Sequence, residues 1–153
     1  MSDDNVELVR AGYDAFNRRD FDAAMALGHD SITWKPFFSV ETDVLRGKEE
    51  VRAAWERQTE ALDLRIDILE LRPLDESRVL AVARWIGRGS SSGAPVDETG
   101  AQVFTVEDGT IRSVETYANK AEAREAVGLQ NRRLGREATT RGTSASSAPR
   151  GSS

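Results

Sequence analysis

Hydrophobic and polar positions follow a helical period at the start of the chain. Val6, Val9, Tyr13 and Phe16 share one face and predict a helix from Asp3 or Asp4 to about Asn17. Arg18-Arg19-Asp20 breaks that period, and Asp20 can cap a short second helix with Phe21 and Met25 inward and Gly28 just past its end. Ser31 to Lys35 reads as a strand stopped by Pro36, and Phe37 to Val44 as a loop. Gly47 precedes a third helix, Lys48 to about Leu62. Its inner stripe is Val51, Trp55, Gln58 and Leu62, while Glu49, Glu50, Arg52, Glu56 and Arg57 face water.

The period then becomes two. Leu64, Ile66 and Ile68 alternate with Arg65, Asp67 and Leu69, and Pro73 to Ser77 makes a turn. Three long antiparallel strands follow: RVLAVARWIGRG, GAQVFTV and TIRSVETYA. In the first of them both faces are apolar. Leu80, Val82 and Ile86 line up with Arg84, and Val79, Ala81 and Ala83 with Trp85. A strand with one wet face would alternate more cleanly, so both faces need cover. Asp108-Gly109 is a tight-turn signal because both residues tolerate positive φ. Gly87, Gly89 and Gly93 with Ser90–Ser92 belong to a looser hairpin; no Lys-Ser/Thr and no helix follow, as a phosphate loop requires. Asn119, with Glu122 three residues on, has capping-box spacing for a last helix ended by Gly128. The order is α-α-β-α-β-β-β-β-α, an α+β domain with no internal repeat.

Charge divides the chain. The net charge is −5, yet after Leu129 stand five arginines and only one acid, Glu137. The segment 130–153 is basic, rich in Ser, Thr and Gly, and poor in apolar residues, so it is expected to be a disordered tail after a domain over 1–129. The acidic body argues against nucleic-acid binding. No apolar run is long enough to span a bilayer, which predicts no membrane partner. The acidic start MSDDNVELVR lacks an apolar signal core and predicts a cytoplasmic protein. Cysteine is absent and His29 is the one histidine, which leaves no thiolate or histidine-cluster metal site; no metal or cofactor is expected.

The strings AFNRRDFDAAMAL, ITWKP, LRGKEEVRAAW and VFTVEDGTIRSVETYANKAEAREAVGL, in that order, resemble the SnoaL-like branch of the NTF2-like superfamily over nearly all of Val6 to Leu129. The resemblance implies a curved antiparallel sheet wrapped by helices into a cone, a cystatin-like α+β barrel, with a pocket at its open end. It also implies dimerisation through the outer face of the sheet. Members include ketosteroid isomerases, polyketide cyclases, epoxide hydrolases and dehydratases, so fold alone does not fix function.

Residue by residue, the family's acids are missing. The position of the isomerases' aspartate base is matched by Lys35, before Pro36. Their oxyanion-hole acid is matched by Gln102 and their tyrosine by Gly12, with Tyr13 one residue off. The last-strand acid of cyclases and epoxide hydrolases is matched by Thr116, while Glu115 points the other way. The family register turns Leu80, Val82, Arg84 and Ile86 into the pocket, with Tyr13, Trp55, Gln102 and Phe104. Arg84 among apolar neighbours then reads as an anchor for an anionic or carbonyl oxygen, or as one half of a structural ion pair. Lys35 reads as a second cation at the pocket mouth or a solvated strand-end lysine. Trp85 and Tyr117 fall on the outer face, the expected homodimer interface. Three functions follow as expectations: a pocket protein for a small apolar or weakly acidic molecule without the family's acid/base set; an isomerase, cyclase or dehydratase with a rearranged site on a polyketide- or steroid-like substrate; or a dimeric interaction module.

Overall fold

The computed structural model describes residues 2–35 and 44–128. Helix α1 (Ser2–Asn17) and helix α2 (Phe21–Ala26) lead into strand β1 (Gly28–Trp34). The two-residue strand β2 (Leu45–Arg46) precedes helix α3 (Gly47–Ala61), and strands β3 (Leu62–Pro73), β4 (Arg78–Gly89), β5 (Pro95–Glu107) and β6 (Thr110–Tyr117) follow. A last helix, α4, runs over 120–128. The expected loop over 37–44 lies outside the described residues except at Val44, as do the tail from 130 on and residue 129 before it.

The strands form one open six-stranded sheet in the order β2-β1-β6-β5-β4-β3. It is mixed rather than wholly antiparallel, because β1 pairs parallel with β6. The sequence hid this pairing: the two strands lie far apart in the chain, and period-two alternation carries no direction. The tiny β2, paired with the end of β1 at Thr33 and Trp34, was also missed, being too short for any periodicity.

Local chemistry sets the element ends. Asp20 caps α2, its Oδ1 accepting from the Ala23 N–H at 3.1 Å. The α3 cap residue Arg46 offers no side-chain bond; instead its own N–H donates to Glu50 Oε1 at 2.9 Å. Asp108 and Gly109 both take positive φ, as the β5–β6 turn requires. Asn119 Oδ1 accepts from the Glu122 N–H at 2.8 Å and starts α4.

Two features fix α1 over one face of the sheet. Asn17 pairs with both backbone groups of Ile66, 2.8 Å each way, and Arg19 Nη2 donates to Leu64 O at 2.6 Å. The edge of β3 is thereby covered at Leu64 and Ile66 by side chains instead of another strand. A bulge between Ile68 and Glu70 then reverses the phase of β3, so Leu64 and Ile66 face the helices while Glu70 and Arg72 face away.

Candidate functional site

The face of β4 turned to α1 carries Val79, Ala81, Ala83 and Trp85, with 0%, 0%, 0% and 5% exposure. The alanines leave room for the helix to lie close. Cross-strand partners carry the face outward to Phe104 and Gln102 on β5 and then to Val114 and Thr116 on β6. Between this face and helices α1, α2 and α3 is a cavity of about 420 Å³, within the range of small-molecule sites.

Its walls are aromatic. Trp55 sits at the junction, with ring centroids 5.3 Å from Phe16 and 5.1 Å from Trp34, both edge to face. Tyr13 meets Phe104 edge to face at 5.5 Å. Edge-to-face contacts set the positive rim of one ring against the negative face of the next, which holds the walls in a fixed shape.

Across the aromatic wall runs a short polar chain. The Tyr13 hydroxyl donates to Gln102 Oε1 at 2.6 Å, and Gln102 Nε2 donates to Thr116 Oγ1 at 2.9 Å. All three residues are buried. Burial pushes the Tyr13 phenol well above its ordinary value of 10.0, so it stays neutral at physiological pH. The charged residues of the lining are Lys48 and Arg57, both cationic. Lys48 Nζ lies 3.4 Å from Asp30 Oδ1, and Arg57 is exposed with no ion pair among the described residues. The described lining includes no Asp, Glu or His, and among the described residues no group of three such side chains is placed to hold a metal ion.

Of the residues picked from the sequence, Tyr13, Trp55, Gln102 and Phe104 line this cavity. Gln102, at the position of the family's oxyanion-hole acid, and Tyr13, read as one residue off the family's tyrosine, touch directly. Thr116 lies behind Gln102, bonded to it but outside the lining. Lys35 is exposed and absent from the lining; its backbone N–H donates to Val114 O at 2.9 Å.

The phase assigned to β4 is reversed. Leu80, Val82, Arg84 and Ile86 occupy the outer face. Leu80 is fully buried there, but under α4, with Ala101, Val103, Ala123 and Val127. Arg84 is exposed and grips Asp97 with two bonds, Nε to Oδ1 at 2.8 Å and Nη2 to Oδ2 at 2.7 Å. It is the structural half-pair, not a pocket anchor. Trp85 correspondingly moves from the outer face to the cavity wall. The physical reason is that both faces of β4 are apolar, so alternation shows two sets but not which one the helices cover. Tyr117 does lie outside, its hydroxyl donating to Glu115 Oε1 at 2.8 Å. The outer apolar patch that motivated a dimer is covered in part by α4 of the same chain.

Trp85, Lys48 and Arg57 were missed as cavity residues. Lys48 could have been found: it stands one heptad before Trp55, within about 20° of it around α3. Arg57 gave no signal, lying well round the helix from the Trp55 stripe.

The comparisons agree with this geometry. The sequence model of the SnoaL-like domain matches residues 9–114, and the chain belongs to that family. No curated protein matches the sequence. Among solved structures, Bal32a from a soil-derived mobile gene cassette is 23% identical, with 76% of this chain and 89% of that one covered at a TM-score of 0.68. An NTF2-like protein of Burkholderia xenovorans LB400 is 22% identical, with 76% and 90% covered at 0.65. RV0760c of Mycobacterium tuberculosis, solved in complex with estradiol-17beta-hemisuccinate, is 17% identical, with 76% and 94% covered at 0.68. At these identities the likeness is one of fold.

Proposed function

We propose that this protein binds a small, largely apolar molecule that carries an anionic or carbonyl oxygen, and does so without the acid/base residues of the family's enzymes. The observation that carries the reading is the composition of the cavity. Its walls are aromatic, its charged lining residues are both cations, and its described lining holds no carboxylate or imidazole. Apolar walls favour a ring system over water. Arg57, which has no ion pair among the described residues, favours a negative substituent toward solvent, with Lys48, paired to Asp30, in the same lining. That RV0760c holds a steroid ester with a free carboxylate fits the same pattern of apolar body and anionic end.

The test is titration with estradiol-17β-hemisuccinate and with estradiol. The acid is expected to bind more tightly by a few-fold, and Arg57→Ala to shrink that difference while leaving estradiol unchanged. Equal affinity for the two steroids, or binding of neither, would contradict the reading. The rival reading, proton transfer on a polyketide- or steroid-like substrate, would need a base that the described lining does not hold. Isomerisation of a Δ5-ketosteroid, lost in Tyr13→Phe, would establish it instead.

A further inference from the structure

The Tyr13–Gln102–Thr116 chain has a property that neither the fold nor the cavity composition requires. As placed, the phenol donates to the amide oxygen and the amide nitrogen donates to the threonine hydroxyl. Thr116 therefore accepts, and its own proton has no acceptor among the described residues. Tyr13, which has spent its proton, keeps an acceptor lone pair, and both it and Gln102 line the cavity.

A half-turn of the Gln102 amide exchanges its oxygen and nitrogen without moving any other atom. The nitrogen then donates to the Tyr13 oxygen, and Thr116 donates its idle proton to the amide oxygen. Bond number within the chain is unchanged at two. The spare proton has moved from Thr116, outside the lining, to Tyr13, where it points into the cavity. Glutamine can do this because its two ends are nearly the same size and opposite in hydrogen-bond sense. A glutamate at the same position could not.

We infer that Gln102 is a specificity-determining residue that lets Tyr13 act as acceptor or donor according to the ligand, so that the cavity holds N–H or O–H groups and carbonyl groups equally well. A ligand donor selects the first arrangement and a ligand acceptor the second. Neither leaves a buried polar atom of the chain worse paired than before, which is the condition for tolerance at a buried site. The inference rests on the proposed pocket function and adds how the cavity meets the polar group of its ligand.

Fluorene, carbazole and 9-fluorenone share one tricyclic outline and offer no group, a donor only, and an acceptor only. Calorimetric titration of the full chain with each is the test. The wild type is expected to bind carbazole and fluorenone each about 2- to 10-fold more tightly than fluorene, the yield of one net hydrogen bond. Tyr13→Phe should bring all three to the fluorene value. Gln102→Leu should break the parity of the two: fluorenone, whose oxygen meets the freed phenol proton, should bind more tightly than carbazole, whose donation leaves that proton unpaired. The carbonyl stretch of bound fluorenone should fall in the wild type and return in Tyr13→Phe. A preference for carbazole alone would mean a chain locked as placed; a preference for fluorenone alone, a chain locked the other way. Either overturns the inference, as does equal binding of all three, which leaves an apolar pocket standing without a preference for a carbonyl oxygen. No binding of any of them removes the pocket reading and the inference together.

Discussion

The two faces of β4 and β5 are built from the same alternation and do opposite things. On the inner face, Trp85, Gln102 and Phe104 meet the helices and frame a cavity. On the outer face, Leu80, Ala101 and Val103 sit under α4, and beyond the helix the strands end in charge: Arg65 on Asp67 at 2.9 Å and Arg84 on Asp97 at 2.7 Å. The arginine bonds hold the carboxyls of Asp67 and Asp97 below their ordinary value. The inner face is closed by aromatic packing over an unfilled space. The outer face is closed by one amphipathic helix and, where that ends, by ion pairs in water. The cavity described above lies on the inner face.

Changes that empty the inner face should cost most. Trp55 touches Phe16, Phe21 and Trp34. Trp55→Ala is expected to lower stability by about 3–5 kcal/mol, read from urea unfolding, and to abolish binding of fluorenone. On the outer face, Leu80→Ala should cost at least about 2 kcal/mol by loosening α4, yet leave fluorenone affinity within twofold. If Leu80→Ala destroyed binding while sparing stability, the two faces would have been assigned the wrong way round. Val127→Asp, which plants a charge in the contact between α4 and the sheet, should uncover the patch of Leu80 and Val103 and raise self-association in sedimentation.

Much of this division was legible in the residues. Helical period found α1 and α3, Asp20 and Asn119 announced the caps of α2 and α4, and Asp108-Gly109 marked its turn. Tyr13, Trp55 and Gln102 were picked as pocket residues from stripe and register. What failed was sign. On β4 the apolar sets 79-81-83-85 and 80-82-84-86 are equivalent to a period-two reading, and the inward set is decided by where α1 and α4 lie. The small volume of Ala81 and Ala83 was the available clue, since a helix packs close over small side chains. The parallel β1–β6 pairing and the bulge at Leu69 depend on contacts distant in sequence, which no local window contains.

A smaller effect separates buried Tyr13 from half-buried Tyr117. The folded-state value of Tyr13 is raised by burial, so the neutral phenol contributes stability in full below about pH 10 and loses it as pH rises further, toward the folded value. The wild type should lose up to about 1.4 kcal/mol per pH unit above pH 10 from this group, and Tyr13→Phe should flatten that limb. Tyr117 on the outer face is raised in the same direction, by burial and then by its bond to Glu115, but is more open to solvent. Tyr117→Phe should flatten the alkaline limb less. An equal effect of the two substitutions would show that the inner face is no drier than the outer.

The central claim is that the binding face is the one carrying Trp85, not the one carrying Arg84. These neighbours in sequence point to opposite sides of one strand, so a pair of substitutions decides it. Fluorenone affinity should be measured by calorimetry for Trp85→Leu and Arg84→Leu. The expected result is a loss of about fivefold for Trp85→Leu, the worth of one aromatic contact, and no change for Arg84→Leu. A loss in Arg84→Leu with Trp85→Leu unchanged would contradict the account.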